Sequence, residues 1–262
     1  LLGLPTETVY GLAADASSDA AVAQIFAAKG RPSDHPLIVH VADAAGIAHF
    51  ASDVPAFAQK LVDAYWPGPL TLILPRRDGV AAVSAGGQDS VGLRCPSHPV
   101  AQAVLRAAAA RGVRGVAAPS ANRFGRVSPT TAAHVADEFA DLSDEQLLIL
   151  DGGACPVGIE STIVDATRGE PVLLRPGMIT AQALSQACGL PVRERDAQAP
   201  RVSGSLASHY APQARVRLAG ASALSEALRA EPEPARVAVY AQAGVAVPAG
   251  LRVERMPDDA AT

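Results

Sequence analysis

The stretch DVPAFAQKLVDAYWPGPLTLILP, residues 53–75, contains both kinds of element from which the fold is built. Its first part, Asp53 to Trp66, has the periodic apolar residues that predict a helix. Pro67-Gly68-Pro69 is expected to end that helix, because proline and glycine disfavour a helical interior. The run TLILP, residues 71–75, then predicts a short buried strand.

The same alternation of helix and strand continues on both sides of this stretch. Upstream, a helix is expected to be capped by Asp19 and to end at Gly30, and Val22, Ile25 and Phe26 share its apolar face. Further strands are predicted at PLIVHV, SVGLR, GVAAPS, LLILD, STIVD and VLLRPG. This mixture predicts an α/β or α+β sheet domain.

The organisation of the chain is expected to change near residue 197. The segment AQAPRVSGSLASHYAPQA, residues 197–214, has little apolar periodicity and predicts a linker or an ordered loop between a domain at 1–196 and a partial one at 215–262. In the second domain RVRLAG, ASALSEALRA and RVAVYA predict a βαβ unit of a small Rossmann-like α/β domain. Because the chain starts at Leu1 and ends at RMPDDAAT, residues are expected to be missing at both ends.

Composition excludes several classes of protein. Of the 262 residues 49% are hydrophobic, enough for a substantial core, and the net charge of −4 argues against binding nucleic acid through bulk electrostatics. A local basic pocket remains compatible with that charge. The three cysteines form no CxxC pair, which argues against a zinc ribbon or a disulfide framework and favours a reducing cytoplasm. No apolar run reaches membrane-spanning length, so no membrane partner is expected.

Two cations stand one residue apart in AAKGRPSDHPL, residues 27–37. Lys29 has a simple structural interpretation, since cations near a helix C-terminus interact favourably with its dipole. Arg31 lies beyond Gly30 and before Pro32, on a stiff turn, where it would lose little freedom on binding. The alternative is therefore a phosphate clamp. From this pair alone the helix-end interpretation is favoured.

Polar side chains also recur at the ends of the short apolar runs. Thr6, Thr8 and Tyr10 alternate, so that they would share one face of an extended chain. The other such residues are Ser120 and Asn122 after GVAA, Ser161 before a strand, and Arg94 and Arg175 at strand ends. A buried guanidinium needs an anionic partner. These positions could therefore line one cavity that holds a polyphosphate and a carboxylate, although each also has a purely structural interpretation.

The usual catalytic signatures are missing from the sequence. No GxGxxG follows a strand, and Gly153 and Gly158 have Walker A spacing without the lysine that should follow. No GxSxG or HExxH occurs either. If a nucleotide binds, it must use scattered cations and hydroxyls. Ser128-Pro129 is a helix start that could also direct N–H groups at an anion.

Together these segments resemble the YrdC-domain family, and the match extends over most of residues 4–180. The matching motifs, in order, are PTETVYGLAADA, KGRPSDHPLIVHV, WPGPLTLIL, VGLRCPSHP, APSAN, SPTTAAHV, DGG, GIESTIVD and LLRPG. SHYAP at 208–212, followed by the start of another α/β domain, resembles the two-domain form of the family. The resemblance implies a twisted, mixed sheet flanked by helices, with a deep cavity.

The resemblance also implies an activity. The family's two-domain enzymes are nucleotidyltransferases that act in tRNA modification: L-threonine and bicarbonate or CO2 give N-carboxythreonine, which attacks the α-phosphate of ATP. The products are threonylcarbamoyl-AMP and pyrophosphate, and a separate tRNA threonylcarbamoyl transferase complex uses the adenylate. A magnesium ion is expected on the triphosphate, held mostly by phosphates and water, with no metal site built by the protein.

Roles for individual residues follow from the motif match. Lys29 and Arg31 are expected to carry the catalysis by neutralising charge on the α-phosphate and the leaving pyrophosphate. The expected ATP-binding residues are Lys29, Arg31, His35, Ser90, Ser120, Asn122, Ser128, Arg175, His209 and Tyr210. The expected threonine-binding residues are Thr6, Thr8, Tyr10, His40, Arg94, Ala118 and Ser161, with Arg94 on the carboxylate.

One departure and two alternatives remain. His35 stands where the family usually has asparagine, so ATP affinity is expected to depend more on pH. His209 and Tyr210 are expected to act as a lid, or else simply as a tether. The chain could instead be a non-catalytic YrdC-like module that binds double-stranded RNA or tRNA. Weak contact with tRNA is compatible with both the enzyme and this module. The chain could also be a related enzyme with another carbamoyl acceptor, although it has no zinc-finger spacing.

Overall fold

The computed structural model describes residues 1–204, 211–212, 214–231 and 236–256. The chain divides into two units, Leu1–Ala211 and Pro212–Thr262. The predicted division into residues 1–196, 197–214 and 215–262 stays a prediction. Each helix in the described residues is too short or too polar to cross a lipid bilayer.

Ten strands of the first unit form one mixed sheet. They are β1 (Leu2–Leu4), β2 (Gly11–Asp15), β3 (Ile38–His40), β4 (Leu70–Pro75), β5 (Ser90–Arg94), β6 (Val116–Ala117), β7 (Leu148–Ile149), β8 (Thr162–Asp165), β9 (Val172–Arg175) and β10 (Arg193–Glu194). Their order across the sheet is β10-β9-β8-β4-β5-β3-β6-β2-β1-β7. β3 runs parallel to β5 and β4 parallel to β8, whereas β4 and β5 are antiparallel. The predicted mixed α/β architecture is confirmed.

β4 is the run TLILP with one residue added in front, and it lies inside the sheet. It pairs with β5 on one side and with β8 on the other, and residues 70–74 are all buried. A strand covered on both faces needs apolar side chains in both directions, which explains why Thr71 is the only polar residue among residues 70–74. Each fully buried leucine side chain, such as Leu70, Leu72 or Leu74, stabilises the fold by roughly 1.5–3 kcal/mol.

Six helices accompany this sheet. They are α1 (Asp19–Lys29), α2 (Ile47–Phe50), α3 (Ala56–Tyr65), α4 (Pro99–Ala109), α5 (Ala132–Glu138) and α6 (Ala181–Cys188). The predicted helix at 53–66 is confirmed as α3, which begins later because Pro55 occupies the N-cap position. Its buried face is formed by Phe57, Ala58, Leu61 and Val62.

The ends of α1 test the capping prediction. Gly30 follows the helix in the left-handed conformation, with φ of 61°, as expected for a C-terminal glycine. The predicted N-cap at Asp19 is wrong. Ser18 is the cap, and its side-chain oxygen accepts a hydrogen bond from Ala21 N across 3.3 Å. Asp19 is the first helical residue, where its charge still complements the helix dipole.

The second unit contains one helix and two strands in its described residues. They are α7 (Ala221–Arg229), β11 (Ala238–Ala241) and β12 (Arg252–Arg255), and the two strands pair in parallel. The helix at ASALSEALRA and the strand at RVAVYA are confirmed. The strand predicted at RVRLAG is wrong, because residues 215–220 have no regular structure and are mostly exposed. The parallel partner of β11 is instead the later β12.

Candidate active site

A cavity with a largely polar wall lies over one face of the large sheet. Ile38 and His40, two residues apart on β3, both line it, which identifies the face. The space that it encloses, together with the part open to solvent, is about 490 Å³. Nine of the residues predicted from the sequence line this cavity: Thr6, Thr8, Arg31, His40, Arg94, Ala118, Ser120, Ser161 and Arg175.

A row of polar side chains crosses three neighbouring strands. Arg94 on β5 is in register with His40 on β3 and with Thr71 on β4. The Thr71 hydroxyl lies 2.8 Å from the Ser161 hydroxyl, next to the start of β8. All four side chains belong to buried residues. Buried polar groups in an otherwise apolar sheet are costly unless they are paired, so their alignment along one row indicates a binding surface.

Arg94 has the anionic partner that the sequence argument required, and that partner is Glu7. Arg94 Nη2 lies 2.6 Å from Glu7 Oε1, and the two side chains are only 5% and 7% exposed. Arg94 also donates to Thr8 Oγ1 across 2.8 Å and to the carbonyl oxygen of Gly68 across 3.3 Å. The guanidinium therefore has a fixed plane at the cavity wall.

His40 beside it is neutral at physiological pH. Burial, and secondly the charge of Arg94, lower the pKa of His40 to about 3. Within the described part of the chain, Nδ1 of His40 is buried and has no hydrogen-bond partner. The ring therefore offers a ligand hydrogen bonding without positive charge.

The segment between β1 and β2 forms a turn instead of an extended strand end. Thr6 Oγ1 accepts hydrogen bonds from the backbone N–H groups of Thr8 and Val9, and it donates to the carbonyl oxygen of Val9 across 2.7 Å. The predicted shared face of Thr6, Thr8 and Tyr10 is therefore wrong. The Tyr10 hydroxyl donates to the Gly153 carbonyl across 2.8 Å and accepts from Gly152 N, so it anchors the loop that leads to β8.

Lys29 and Arg31 differ in their access to the cavity. Lys29 is 2% exposed, and its ammonium donates to the carbonyl oxygens of Ser120 and Asn122. Burial, and secondly the charge of Arg31, lower the pKa of Lys29 well below its ordinary value. Arg31 lines the cavity, donates to Pro36 O and Ser203 Oγ, and lies over the Phe124 ring. In this structure Arg31 is thus the member of the pair that forms the wall.

The side chain of Arg175, at the end of β9, is oriented by Ser161, the residue that precedes β8. Nε and Nη2 donate to the carbonyl oxygen of Ser161 across 3.0 and 2.9 Å, and Nη2 also donates to Ser161 Oγ. Nη1 donates to the carbonyl oxygen of Ser203 across 3.2 Å. Arg31 and Arg175 therefore approach each other through Ser203, on the segment that follows β10.

The other predicted ATP-binding residues surround the cavity. Ser128 Oγ donates to Glu160 Oε1, and Ser128 and Asn122 line an adjoining groove. Asn122 donates to two backbone carbonyls, whereas its buried Oδ1 accepts no hydrogen bond from the described residues. Ser90 lines a shallower depression that also includes Ser203.

Two further expectations concern the rim of the site. His35 packs edge-on against Phe124, and burial, followed by the charge of Arg31, lowers the pKa of His35. His209 and Tyr210, the predicted lid, lie outside the described residues. Their role stays a prediction.

Sequence reasoning missed four residues that shape the cavity. They are Glu7, Thr71, Glu160 and Ser203. Glu160 and Glu7 lie inside the quoted motifs GIESTIVD and PTETVYGL, beside residues that were selected. Across the ranges that the structure describes, no three His, Cys, Asp or Glu side chains form a metal-binding cluster.

Comparison with known proteins extends the resemblance across the chain. The Sua5/YciO/YrdC family, described as "Telomere recombination", matches residues 1–177, and the family described as "Threonylcarbamoyl-AMP synthase, C-terminal domain" matches residues 179–260. The threonylcarbamoyl-AMP synthase of Pyrococcus abyssi is 41% identical over 221 residues, covering 82% of this chain and 63% of its own length. The Bacillus subtilis enzyme of the same name is also 41% identical, covering 82% of this chain and 61% of its own length.

The solved structures agree with the fold. The crystal structure of P. abyssi Sua5 complexed with L-threonine is 35% identical, covers 99% of this chain and 77% of that one, and superposes with a TM-score of 0.87. Escherichia coli YciO, at 21% identity and a TM-score of 0.58, covers 70% of this chain and 85% of that one, and it shares the fold. The chain thus spans about three fifths of the length of the first two relatives.

Proposed function

The chain belongs to the Sua5/YciO/YrdC family, and we propose that it synthesises threonylcarbamoyl-AMP from L-threonine, bicarbonate or CO2, and ATP. The observation that carries the proposal is the wall of the cavity. Two arginines, Arg31 and Arg175, meet through Ser203, whereas a third, Arg94, lies in a separate row with His40 and Thr71. Two groups of cations suit a ligand set with a polyphosphate and a carboxylate.

In the proposed reaction the nitrogen of the neutral amino group of threonine first bonds to the carbon of CO2, or of bicarbonate with loss of hydroxide, and the proton that the nitrogen loses goes to that hydroxide or to water. An oxygen of the N-carboxythreonine carboxylate attacks the α-phosphorus of ATP, the bond from that phosphorus to the bridging oxygen breaks, and pyrophosphate leaves. Arg31 and Arg175 neutralise the charge that gathers on the phosphates, which is the main requirement of such a transfer. No protein nucleophile is needed, since holding the reactants in attack geometry is worth roughly 7–11 kcal/mol.

We place ATP and L-threonine according to the two groups of cations on the cavity wall. ATP lies on the side of Lys29, Arg31, Arg175 and the loop from Ser120 to Asn122. The hydroxyls of Ser90 and Ser128, with His35, and the predicted lid residues His209 and Tyr210 complete that side. L-Threonine lies over the polar row, with its carboxylate at Arg94 and its remaining groups near Thr6, Thr8, Tyr10, His40, Ala118 and Ser161.

Magnesium enters this proposal with the nucleotide. The lack of an acidic cluster in the described residues fits an ion held by phosphates and water, and such an ion would reduce the negative charge of the triphosphate. Glu160, hydrogen-bonded to Ser128, is the carboxylate on the cavity wall through which a water of that ion could be bound.

The test is pyrophosphate release from ATP and bicarbonate, with L-threonine, with L-serine, and with no amino acid. Threonine-dependent release, together with threonylcarbamoyl-AMP detected by mass spectrometry, is the expected result. A folded protein that binds ATP but releases no pyrophosphate would contradict the proposal. If such a protein also bound tRNA with a steep salt dependence, the binding-module alternative would replace it. If the proposal holds, a separate tRNA threonylcarbamoyl transferase complex uses the threonylcarbamoyl-AMP.

A further inference from the structure

Both carboxylate oxygens of Glu7 are held by hydrogen bonds. Its carboxylate receives Arg94 Nη2 on one oxygen at 2.6 Å and the backbone N–H of Ser97 on the other at 3.1 Å. Its own carbonyl oxygen accepts from Val157 N across 2.9 Å. With 7% of its side chain exposed, Glu7 has no freedom to move away when a ligand reaches Arg94.

Glu7 leaves part of Arg94 available. A guanidinium has five N–H groups, and the contacts with Gly68, Thr8 and Glu7 use three of them, so two remain for a ligand. Arg94 lines the cavity, whereas Glu7 does not. A ligand carboxylate can therefore reach Arg94, but the positive charge of Arg94 is already shared with the carboxylate of Glu7.

This sharing has an electrostatic consequence. The Glu7–Arg94 pair is already neutral, and the pKa of about 3 keeps the adjacent His40 uncharged. A ligand that brings only a carboxylate is therefore attracted less by the compensated Arg94 than it would be by an unpaired guanidinium, and the other cavity arginines, Arg31 and Arg175, belong to the separate group linked through Ser203. Glu160, which also lines the cavity, adds negative charge there. A ligand that brings its own cation close to its carboxylate restores the balance.

We propose that Glu7 determines specificity, favouring substrates that carry an α-ammonium group, by compensating Arg94 before the substrate carboxylate binds. The inference rests on the proposed function, in which Arg94 receives the carboxylate of an amino acid. Glu7 touches no substrate and acts through Arg94. The site therefore selects zwitterionic α-amino acids over α-hydroxy acids of the same shape.

The experiment compares two ligands by calorimetry: L-threonine, and the 2,3-dihydroxybutanoate of matching configuration, in which a hydroxyl replaces the ammonium. The wild type should bind threonine at least about tenfold more tightly, and Glu7→Gln should reduce that preference by at least about fivefold. Glu170→Gln is the matched control, because it removes a carboxylate from a solvent-accessible ion pair with Arg193. It should leave the preference unchanged.

A purely structural role of Glu7 predicts a different result. Glu7→Gln would then weaken both ligands equally, and an unchanged ratio would overturn the inference. If this variant does not fold, Glu7→Asp replaces it, because the shorter carboxylate should loosen the contact with Arg94 and reduce the preference for threonine; equal affinity of the wild type for the two ligands would also overturn the inference. Failure of the proposed function would look different, because threonine-dependent pyrophosphate release would be missing from the wild type itself.

Discussion

The ammonium of Lys29 donates a hydrogen bond to the carbonyl oxygen of Ser120 across 2.5 Å, which joins the last residue of α1 to the loop after β6. The same ammonium donates to the carbonyl oxygen of Asn122. The backbone also connects these segments, since Phe124 N donates to Lys29 O across 2.8 Å. Lys29 thus fixes the loop that carries Ser120 and Asn122, in addition to any contact that it makes with phosphate.

We expect Lys29→Met to destabilise the protein by about 1–3 kcal/mol, because two backbone carbonyls lose their donor in a buried place. ATP affinity should fall with it, since the loop loses its anchor. Urea unfolding and ATP titration measure the two effects. Lys60→Met is the control, as Lys60 is exposed and makes only a 3.4 Å contact with the Cys188 carbonyl. Equal losses in the two variants would contradict the anchoring role.

The Glu7–Arg94 pair should show strong coupling in a double-mutant cycle. Arg94→Met leaves the Glu7 carboxylate buried without its partner, which is expected to cost about 3–5 kcal/mol of stability. In the double variant with Glu7→Gln the charge is gone as well, so much of that loss should be recovered. Chemical denaturation of all four proteins gives the coupling energy. Additive effects would show that the two side chains do not depend on each other.

His40 should make the protein sensitive to acid. Its pKa is about 3 in the folded state and about 6.5 in the unfolded chain, so between these values only the unfolded chain binds the proton. Stability contributed by the neutral ring should therefore decrease as pH falls below about 6.5, by about 2 kcal/mol at pH 5. His40→Gln should flatten the stability profile in this window, which urea unfolding at several pH values measures, and an unchanged profile would contradict the role of His40.

Loss of the Arg31 side chain should lower the rate of the reaction more than it lowers the stability of the fold. We expect Arg31→Ala to lower the rate of threonine-dependent pyrophosphate release by about 10²–10³-fold, the usual cost of losing one charge-stabilising donor. Arg31→Lys should recover only part of the rate, because an ammonium lacks the planar fork. Arg77→Ala is the control, since Arg77 is exposed and its side chain donates to the carbonyl oxygen of Ala48, away from the residues that line the cavity. A rate loss below tenfold for Arg31→Ala would count against its role.

His35 should affect ATP affinity only on the acidic side of neutrality. The sequence led us to expect sensitivity near neutral pH, but burial and the charge of Arg31 lower the pKa of His35 and move the effect to lower pH. Because a protonated His35 attracts an anion, the ATP affinity of the wild type should rise relative to that of His35→Asn as the pH is lowered, by about twofold once the ring is protonated. Protonation of ATP itself affects both proteins equally. Identical pH profiles of ATP affinity for the wild type and His35→Asn would therefore contradict this expectation.

The periodicity of apolar residues and the positions of proline and glycine predicted the secondary structure of the first unit well. α3 and β4 follow from an amphipathic run, a Pro-Gly-Pro stop and a largely apolar run, all of them local signals. RVRLAG failed because alternation alone does not supply a hydrogen-bonding partner: β11 pairs with β12, which follows it in the chain, and not with the earlier RVRLAG segment. The choice of partner is a tertiary property that no local pattern contains.

The site was predictable where a polar residue interrupts an apolar run and less so elsewhere. Arg94, Ser161 and Arg175 were identified on that basis, and all three line the cavity. Glu7 was missed because it stands among other polar residues, where a carboxylate needs no special explanation. Only the burial of that segment beside Arg94 makes its charge significant. Charge pairing across 87 positions of sequence is not visible in a local pattern.

The contacts that assemble the cavity join segments that are far apart in the chain. Thr8 meets Arg94 over 86 positions, Lys29 meets Ser120 over 91, and Arg31 meets Ser203 over 172. Contacts of such long range form only after many loops have closed, and they favour slow, cooperative folding. During synthesis, therefore, the wall of the cavity is incomplete until residue 203 has left the ribosome.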